Sequence, residues 1–265
     1  VIAGGGPTGV EVAGMLAEMQ AYVYKKDYPE FAEMSMAGGI YLLDAAPQLL
    51  SPMSKKSQQN AYEALEKLGV KIILNARVTD YVEDKVILSN GDSIETENLI
   101  WATGVTAQVF EGIPKECYGQ GRRLVVDVHN RVQGLEGGFA IGDTCFMTAD
   151  SKFPSGHPQL AQVALQQGRN LAKNFDRALK GKDWLPFAYK DKGTMAIIGR
   201  NKAVVDLSKT LHFKGFIAWF IWAFIHLIFL VTYRNKVITF YDWVVAYFTK
   251  DQALRMMIRP TKRKE

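Results

Sequence analysis

The sequence predicts an α/β protein that ends in an apolar helical region, and three observations lead to this prediction. Strand-like and helix-like segments alternate from Val1 to Gly104, which is typical of a parallel sheet. A glycine-rich turn joins the first predicted strand to the first predicted helix. An apolar stretch containing two tryptophans, Phe216 to Val231, lies near the end of the chain.

The predicted elements follow one another in a regular order. An apolar start at Val1 is followed, after the glycines, by helix formers from Val10 onward. Further strands are predicted over 39–44, 70–74, 81–88, 93–96 and 98–104, the last of them buried, and a helix over 55–68, with a hairpin turn at 90–92. Beyond them we predict a strand over 138–143, a helix from about 158 to 179 ended by Gly181, and strands over 194–198 and 203–207.

The positive charge of this chain is concentrated at its C-terminal end. The formal net charge is +5, yet ten of the 32 Lys/Arg and only three of the 27 Asp/Glu lie from Lys209 onward, leaving 22 basic and 24 acidic residues upstream. Tryptophan, phenylalanine and isoleucine are interleaved with these cations, which favours an anionic lipid surface over nucleic acid as the partner.

The cysteines indicate the redox compartment of the protein, and the first residues indicate whether the sequence starts at a natural N-terminus. Cys117 and Cys145 are too far apart for a CxxC motif and too few for a disulfide framework, which fits a reducing compartment. The sequence starts inside a strand-like run without an initiator methionine, so we expect an N-terminal portion to precede it.

Gly4, Gly6 and Gly9 have the spacing G-x-G-x-x-G. The first glycine permits a tight turn, the second lets backbone approach a pyrophosphate, and the third lets helix and strand pack closely. Amides at the helix N-terminus, near Pro7 and Thr8, would then face the phosphates. This pattern predicts a dinucleotide site, the alternative being an ordinary strand-to-helix loop.

Asp44 ends the second predicted strand. An acidic side chain there accepts hydrogen bonds from the adenosine ribose and repels a 2′-phosphate, which favours NADH over NADPH. The separation of Gly9 and Asp44 exceeds the usual spacing of about 20 residues, so residues 20–38 are expected to form an excursion. Alternatively, Asp44 only shapes a turn.

Four segments carry a family resemblance: Gly4 to Glu11, Trp101 to Val105, Phe139 to Asp143 and Ala161 to Gly168. In this order they resemble the type II NADH dehydrogenases, single-subunit NADH:quinone oxidoreductases of the two-dinucleotide-binding-domain flavoprotein superfamily. The first two segments are shared by many pyridine-nucleotide flavoenzymes, whereas AQxAxQQG followed by an aromatic C-terminal region is specific to this family. Such enzymes begin with an FAD-binding βαβ unit that this sequence lacks, so the resemblance is to an N-terminally truncated member.

The resemblance implies a domain organisation. It consists of two Rossmann-like dinucleotide-binding domains, the FAD domain being incomplete here, and a C-terminal membrane anchor of amphipathic and apolar helices. Residues 1–103 would bind NADH, residues 104–208 would form the C-terminal part of the FAD domain, and residues 209–265 would be the anchoring helices.

The resemblance also implies roles around the two cofactors, NADH and FAD. Gly142 and Asp143 would bind the ribityl or phosphate end of the flavin, and the crossover Thr103-Gly104-Val105 would pass the nicotinamide. Glu11 would lie in the first helical turn near the nicotinamide carboxamide. The alternatives are a strand-terminal turn for Gly142-Asp143 and, for Glu11, a carboxylate that a helix N-terminus favours anyway.

Gln162 and Gln166 stand four apart and would share one helix face toward the flavin edge and a quinone headgroup. Amides donate hydrogen bonds to quinone carbonyls without a fixed charge, and the small side chains of Ala161 and Ala164 would let a ring system approach the helix. Lys192 resembles a family lysine whose charge would stabilise reduced anionic flavin. A solvated helix face and a surface lysine are the alternatives.

The stretch Phe216 to Val231 is apolar except for His226, which we expect to be a hydrogen-bonded helix residue rather than a ligand. As a helix it would be about 24 Å long, short of the roughly 30 Å hydrocarbon core. We therefore predict a monotopic anchor on the lipid bilayer surface, with Asp242 to Phe248 as a second interfacial piece and the C-terminal cations on anionic lipid. A helix packed inside the protein or at a dimer interface is the alternative.

The implied activity is hydride transfer from NADH to FAD and two-electron reduction of a membrane quinone, without proton pumping or metal. The implied location is the cytoplasmic face of the inner (plasma) membrane, as a homodimer. Two alternatives remain: another membrane flavoprotein, such as a sulfide:quinone oxidoreductase, and a non-catalytic, membrane-tethered NAD-binding module.

Overall fold

The computed structural model describes residues 1–24, 39–208 and 210–249. The chain folds into two compact units. One contains Val1–Thr103 together with the part of the chain from Gly193 onward, and the other contains Gly104–Lys192. The first unit is therefore built from two separated stretches of sequence.

The first unit contains a parallel sheet and two antiparallel sheets, and its first stretch, up to Thr103, supplies the parallel sheet and one of the antiparallel sheets. In chain order the strands are β1 (Ile2–Ala3), β2 (Tyr41–Leu43), β3 (Lys71–Ile73), β4 (Val78–Val82), β5 (Lys85–Leu88), β6 (Ser93–Glu95) and β7 (Ile100–Trp101). The parallel sheet has the order β3-β2-β1-β7, with Ile2 opposite both Leu42 and Ile100. Helix α1 (Pro7–Glu18) connects β1 to β2, and helix α2 (Lys55–Lys67) connects β2 to β3. This arrangement confirms the predicted parallel sheet and its two helices.

Helix α1 packs closely because it carries small residues on its inner face. Val10 and Ala13 are fully buried in the main core of the unit. A Cβ atom added to Gly14 would lie 1.6 Å from the carbonyl oxygen of Ile198, so only glycine permits this approach. A π-helix, Met19–Tyr24, follows α1. The rest of the excursion predicted over 20–38 lies outside the described residues.

The prediction of one strand over 81–88 is wrong. Strands β4 and β5 pair antiparallel with Val82 opposite Lys85, so Glu83 and Asp84 form a two-residue turn. Both have positive φ, 49° and 58°, as a type I′ hairpin turn requires. No Gly or Asn marks this position, and the apolar residues on either side make it look like a continuous strand. The next connection, over 90–92, is the predicted hairpin turn between β5 and β6.

Strand β7 is exposed, whereas the prediction placed a buried strand over 98–104. Ile100 is 38 % exposed and Trp101 57 % exposed. Among the described strands, β7 pairs with β1 alone and forms one edge of the sheet. An apolar run has the same composition in a central strand and in an edge strand, so periodicity cannot distinguish the two.

The second unit contains one long helix and little other regular structure. Strands β8 (Leu124–Val125) and β9 (Cys145–Phe146) pair in parallel, and short 3₁₀ turns cover Lys115–Cys117, Gln120–Arg122 and Gly142–Thr144. Helix α3 spans Ala161–Leu179. Its end is a Schellman motif, in which Lys182 N donates to Arg177 O and Gly181 N donates to Ala178 O, with Gly181 at a φ of +64°. The predicted stop at Gly181 is confirmed.

The strand predicted over 138–143 is wrong. The described chain has only an isolated bridge between Arg131 and Phe139 there, followed by the 3₁₀ turn that starts at Gly142. Gly142 has a φ of +67°, which takes the chain out of the extended conformation. The regular pairing occurs two residues further on, at β9.

The C-terminal stretch begins with an antiparallel sheet of β10 (Thr194–Gly199), β11 (Lys202–Asp206) and β12 (His212–Lys214). The first two confirm the predicted strands, and β12 was not predicted. Two helices follow, α4 (Gly215–Phe229) and α5 (Tyr233–Thr249). Helix α4 ends two residues before the predicted end of the apolar stretch, because Leu230 adopts an extended ψ of 138°.

Within the described ranges, the structure contains no helix of the length and apolar character needed to traverse a bilayer. On α4 only Ala218 is buried, while large apolar side chains such as Phe216, Phe220 and Phe224 are more than half exposed. The cationic residues from Lys250 onward, expected to lie on anionic lipid, are outside the described residues.

Candidate functional site

The glycine-rich turn lies where β1 ends and α1 begins. Gly4 has a φ of +118°, and a Cβ atom there would be 2.7 Å from the carbonyl oxygen of Ala102 and 2.9 Å from Thr103 Cβ. A Cβ atom on Gly9 would be 1.7 Å from the carbonyl oxygen of Gly4. Gly6 differs from both, because a Cβ atom there would meet nothing within 4 Å. Two glycines thus serve packing, and the third borders open space.

Gly6 is also the N-cap residue of α1, and Pro7 occupies the first helical turn. No side chain caps this end of the helix in the described structure. Pro7 has no N–H group and Val10 N donates to Gly6 O, so the amides of Thr8 and Gly9 are those without an intrahelical acceptor, and the positive end of the helix dipole lies at the space beside Gly6. This arrangement can bind an anionic group such as a pyrophosphate.

Asp44 follows β2 and is hydrogen-bonded to this turn. Its Oδ2 atom accepts a short hydrogen bond from Gly5 N, and its Oδ1 atom accepts one of 2.6 Å from Ala46 N. The carboxylate thus shapes the turn, which is the alternative considered for this residue. Each carboxylate oxygen can accept further hydrogen bonds, so the half-buried side chain still offers acceptors beside the turn.

Glu11 lies in the second turn of α1, because the helix begins at Pro7, and its predicted place in the first turn is wrong. Its Oε1 atom accepts a hydrogen bond of 3.3 Å from Ile197 N on β10. Burial raises the pKa of this carboxyl group, while the hydrogen bond from Ile197 and the nearby His226 act in the opposite direction. Glu11 therefore joins α1 to β10 through a hydrogen bond.

In the second unit, the 3₁₀ turn with Gly142 and Asp143 packs on the first residues of α3. A Cβ atom on Gly142 would be 3.0 Å from Ala164 Cβ, so both positions must be small for the turn and helix to meet. Gly142 N donates a hydrogen bond of 2.7 Å to Gln167 Oε1. The side chain of Asp143 is exposed at this turn.

Gln162 and Gln166 face the same neighbouring segment, as their spacing predicts. Gln166 makes two hydrogen bonds to the main chain of Lys190, accepting from its N at 3.1 Å and donating to its O at 2.9 Å. Gln162 Oε1 accepts from Lys192 N at 3.2 Å. The glutamines therefore attach the segment 190–192 to α3, and the side chain of Lys192 is exposed.

The predicted site residues are thus divided between the two units. The first unit holds Gly4, Gly6, Pro7, Thr8, Gly9, Glu11, Asp44 and Thr103, and the second holds Gly104, Val105, Gly142, Asp143, Gln162, Ala164, Gln166 and Lys192. The turn brings Gly4 together with Thr103, and Asp44 together with Gly5. Glu11 instead contacts β10. Thr103, Gly104 and Val105 are exposed.

His226 is hydrogen-bonded within α4, as predicted. Its Nδ1 atom donates to Trp222 O at 2.7 Å, and its ring stacks on Trp222 with 4.1 Å between centroids. Because a carbonyl oxygen can only accept, the proton is on Nδ1, and Nε2 is the acceptor nitrogen in the neutral ring.

Sequence reasoning missed Gln167, the buried glutamine that joins α3 to the 3₁₀ turn. Its Oε1 atom accepts from Gly142 N, and its Nε2 atom donates to Cys145 Sγ at 3.3 Å. Burial raises the pKa of the Cys145 thiol to about 11, so this cysteine is an uncharged structural group. The signal in the sequence is the doubled glutamine of AQxAxQQG, whose second member is Gln167.

Comparisons with protein families give two matches along the chain. Residues 1–168 match the family described as pyridine nucleotide-disulphide oxidoreductase. Residues 192–250 match the family described as NDH2 C-terminal domain. The first match covers more than half of the chain, and the second covers the C-terminal sheet and both C-terminal helices.

Two curated relatives illustrate the similarity. The type II NADH:quinone oxidoreductase Ndh of Mycobacterium tuberculosis is 34% identical over 256 residues, covering 94% of this chain and 54% of the relative. The internal alternative NAD(P)H-ubiquinone oxidoreductase A1, mitochondrial, of Arabidopsis thaliana is 33% identical over 266 residues, covering 93% of this chain and 50% of the relative. The chain spans about half the length of the curated relatives it matches.

Among solved structures, NDH2 from Plasmodium falciparum in complex with NADH superposes with a TM-score of 0.82. The match covers 94% of this chain and 65% of that one at 18% identity. At this identity the likeness concerns the fold, and it supports the α/β dinucleotide-binding architecture described above.

Proposed function

We propose that this chain, which belongs to the pyridine nucleotide-disulphide oxidoreductase family, acts as part of an FAD-dependent NADH:quinone oxidoreductase. Its resemblance to the type II NADH dehydrogenases is confirmed by sequence matches along nearly its whole length. The observation that carries the proposal is the uncapped start of α1 beside Gly6, at the end of a parallel strand. The relatives' names favour NADH and quinone as substrates over sulfide, and a catalytic over a silent module.

The geometry of the first unit fits NADH. Gly6 leaves room for close approach of a pyrophosphate, and the amides of the first turn supply donors. Asp44 lies at the adjacent strand end with acceptor capacity for ribose hydroxyls and a charge that opposes a 2′-phosphate. NADH, rather than NADPH, is therefore the proposed donor, and residues 1–103 are the proposed NADH-binding domain.

Residues of the second unit fit part of an FAD site. The positive φ of Gly142 and the small side chain of Ala164 keep the turn close to α3, and Asp143 presents an exposed carboxylate there. Such a carboxylate accepts hydrogen bonds from flavin ribityl hydroxyls. FAD would supply the two-electron chemistry that links nicotinamide to quinone. Residues 104–208 are the proposed portion of the FAD domain, with Thr103, Gly104 and Val105 as the crossover into it.

Four polar residues are proposed to take part in the reaction: Gln162, Gln166, Lys192 and Glu11. The two glutamines fix the main chain at 190 and 192, so they determine where the Lys192 ammonium can reach. A cation held there would stabilise negative charge on a reduced cofactor. Glu11 would place a carboxyl group near the nicotinamide carboxamide, as the family resemblance implies, and burial raises the pKa of this group.

Membrane attachment is proposed for residues 209–265. Apolar side chains cover the outer faces of α4 and α5, including Phe220, Phe224 and Phe248, which are 58%, 55% and 77% exposed. Contiguous apolar surface of this kind marks a membrane or protein interface. We propose a monotopic attachment to the cytoplasmic face of the inner (plasma) membrane, with a homodimer as the assembly and a membrane quinone as the acceptor.

The test uses full-length protein purified with its membrane lipids. Visible flavin absorbance is expected, together with NADH oxidation that depends on added quinone and exceeds NADPH oxidation. Ferricyanide serves as an acceptor that bypasses the quinone site. A colourless protein without bound flavin, or one that oxidises no NADH with any acceptor, contradicts the proposal.

A further inference from the structure

The buried amide of Gln167 joins helix α3 to the turn that carries Gly142 and Asp143. Gln167 is 1% exposed and lies in the second turn of α3, next to Val163 in the core of the second unit. Burying an amide costs free energy unless its donor and its acceptor both find partners. Both do here, because Oε1 accepts from Gly142 N at 2.7 Å and Nε2 donates to Cys145 Sγ at 3.3 Å. Gln167 thus spans the 3₁₀ turn from its first residue to its C-cap.

A second buried amide, that of Asn130, holds the other side of the same turn. Asn130 is also 1% exposed, and its Nδ2 atom donates to Ala140 O at 2.9 Å and to Cys145 Sγ at 3.6 Å. The thiol sulfur is a weak acceptor, and it accepts from both amides. We call Asn130, Cys145 and Gln167 the amide–thiol network. This network binds the main chain at Ala140 and at Gly142, and it therefore fixes the entry to the turn.

The fixed main chain determines where the carboxylate of Asp143 can reach. Gly142 has a φ of +67°, a conformation that glycine adopts without strain. Thr144 Oγ1 donates to Ile141 O at 3.1 Å, and Gln159 Nε2 donates to Asp143 O at 3.1 Å. Because the main chain is held before and after it, the exposed side chain of Asp143 keeps only its own rotamer freedom. A binding group of this kind loses less entropy when a ligand arrives.

Packing alone does not require an amide at position 167. An apolar side chain of the same length would fill the same space and would need no hydrogen-bond partners. Contact between α3 and the turn is already provided by Ala164, which a Cβ atom on Gly142 would approach to 3.0 Å. Buried polar networks whose members are all paired contribute rigidity and a unique geometry. The amide of Gln167 is therefore suited to fix the orientation of the turn on the helix.

We propose that Gln167 is a positioning residue for flavin binding, which holds the turn in the conformation that presents the Asp143 carboxylate to the ribityl hydroxyls of FAD. The inference rests on the proposed function and goes beyond it, because it assigns a residue that is buried behind the turn. Asn130 and Cys145 complete the network. The effect is on the affinity for FAD, since a pre-ordered carboxylate loses less freedom on binding, and not on turnover once FAD is bound.

Titration of deflavinated full-length protein with FAD tests the proposal. Gln167→Met keeps the length of the side chain and removes both hydrogen bonds. The dissociation constant for FAD is expected to rise about tenfold, which corresponds to roughly one lost hydrogen bond. Once saturated with FAD, the variant should oxidise NADH with ferricyanide at the rate of the natural protein, because Gln167 acts on binding alone. An unchanged dissociation constant overturns the inference.

A double-mutant cycle separates positioning of the carboxylate from a general effect on the protein. Asp143→Ala removes the carboxylate that Gln167 is proposed to position. On that background Gln167→Met should weaken FAD binding by less than about twofold, because no carboxylate remains to be positioned. Equal weakening with and without the Asp143 carboxylate overturns the inference.

Asn174 supplies a matched control on the same helix. It is fully buried and makes a comparable pair of hydrogen bonds to the main chain of Leu185, donating from Nδ2 to O at 2.9 Å and accepting from N at 2.8 Å. Asn174→Leu should lower the free energy of unfolding and leave FAD affinity unchanged. If it weakens FAD binding as much as Gln167→Met does, general loosening of α3 explains both variants and the inference is overturned.

Substitutions of Cys145 keep the test decisive if Gln167→Met does not fold. Cys145→Ser retains an acceptor for the amides of Asn130 and Gln167, whereas Cys145→Ala leaves both without one. FAD should therefore bind more tightly to Cys145→Ser than to Cys145→Ala, and equal affinities overturn the inference. A natural full-length protein that binds no FAD refutes the proposed function together with the inference. A natural protein that binds FAD no more tightly than Gln167→Met refutes the inference alone.

Discussion

The carboxylate of Asp206 accepts a hydrogen bond of 2.6 Å from the hydroxyl of Ser57, although 149 positions separate the two residues. The same carboxylate accepts from Ser54 N at 2.7 Å and from His212 Nδ1 at 2.8 Å. Ser54 is the N-cap of α2, and Asp206 ends β11. One buried carboxylate therefore joins the C-terminal sheet to a helix from the first part of the chain.

Replacing this carboxylate is expected to weaken the first unit. Asp206→Asn keeps the shape but removes the charge that donors of three residues share, so the free energy of unfolding should fall by about 2 kcal/mol. Urea unfolding measures the change. Asp176→Asn, which removes an exposed carboxylate paired with Lys180, is the matched control and should change stability by less than about 0.5 kcal/mol.

The hydrogen bonds to Asp206 also predict that the stability of the first unit depends on pH. Burial of Asp206 alone would raise its pKa, but hydrogen bonds from Ser57, Ser54 and His212 outweigh burial and lower it. A carboxylate whose folded pKa is depressed contributes stability above its unfolded value, about 3.9, and loses it as the pH falls through the folded pKa. The stability difference between the natural protein and Asp206→Asn should therefore shrink below about pH 4. A difference that is constant from neutral to acidic pH would contradict this account.

The ionisation of Glu11 is expected to change the stability of the fold in the opposite direction with pH. Since burial raises its pKa, its ionisation destabilises the folded state progressively above the unfolded value of about 4.3. Glu11→Gln keeps the acceptor for Ile197 N and removes the ionisation. Its urea midpoint should exceed that of the natural protein at neutral to alkaline pH and match it below about pH 4. Glu66→Gln at an exposed position of α2 should show no such trend.

Substitution of Gly6, the N-cap of α1, should weaken NADH binding, whereas substitution of Gly14 within α1 should lower stability. Gly6→Ala meets nothing within 4 Å, so it should fold normally and yet bind NADH about tenfold more weakly, because the methyl group enters the space beside the helix N-terminus. Isothermal titration with NADH measures this. Gly14→Ala meets the carbonyl oxygen of Ile198 and should lower the free energy of unfolding by about 2 to 3 kcal/mol. Equal NADH affinity of Gly6→Ala and the natural protein would remove the turn from the binding site.

Shortening the side chain of Gln166 is expected to loosen the main chain at Lys190. Gln166→Ala removes both hydrogen bonds to the main chain of Lys190, so the amide of Lys190 should exchange its hydrogen at least about tenfold faster. Hydrogen–deuterium exchange followed by mass spectrometry measures this segment directly. Gln133→Ala, at an exposed position of the same unit, should leave it unchanged. In full-length protein, quinone reduction should decline more than ferricyanide reduction.

Local signals predicted much of the fold. The βαβ order, helix α2, the stop of α3 at Gly181 and the strands β10 and β11 follow from patterns only a few residues long. The turn at Glu83 and Asp84 was not predicted because glutamate seldom adopts positive φ and no glycine follows Asp84. The exposure of Trp101 was missed because it depends on which strands flank β7.

The candidate site divides in the same way. The spacing of Gly4, Gly6 and Gly9 and of Gln162 and Gln166 predicted which residues share a turn or a helix face. The partners of these residues were not predictable, because the contact of Glu11 with Ile197 spans 186 positions and that of Gln166 with Lys190 depends on how a loop returns to α3.

The sequence by itself determined the alternation of strands and helices, the glycine-rich turn and the apolar C-terminal helices, because each depends on backbone preference and hydrophobic spacing among near neighbours. Only the tertiary structure decided that Glu11 contacts β10, that Asp206 binds the start of α2, and that tryptophans of α4 and α5 line a groove together with α1. Such contacts depend on the packing of elements far apart in the chain, and that packing is set by the burial of the whole core rather than by any local pattern.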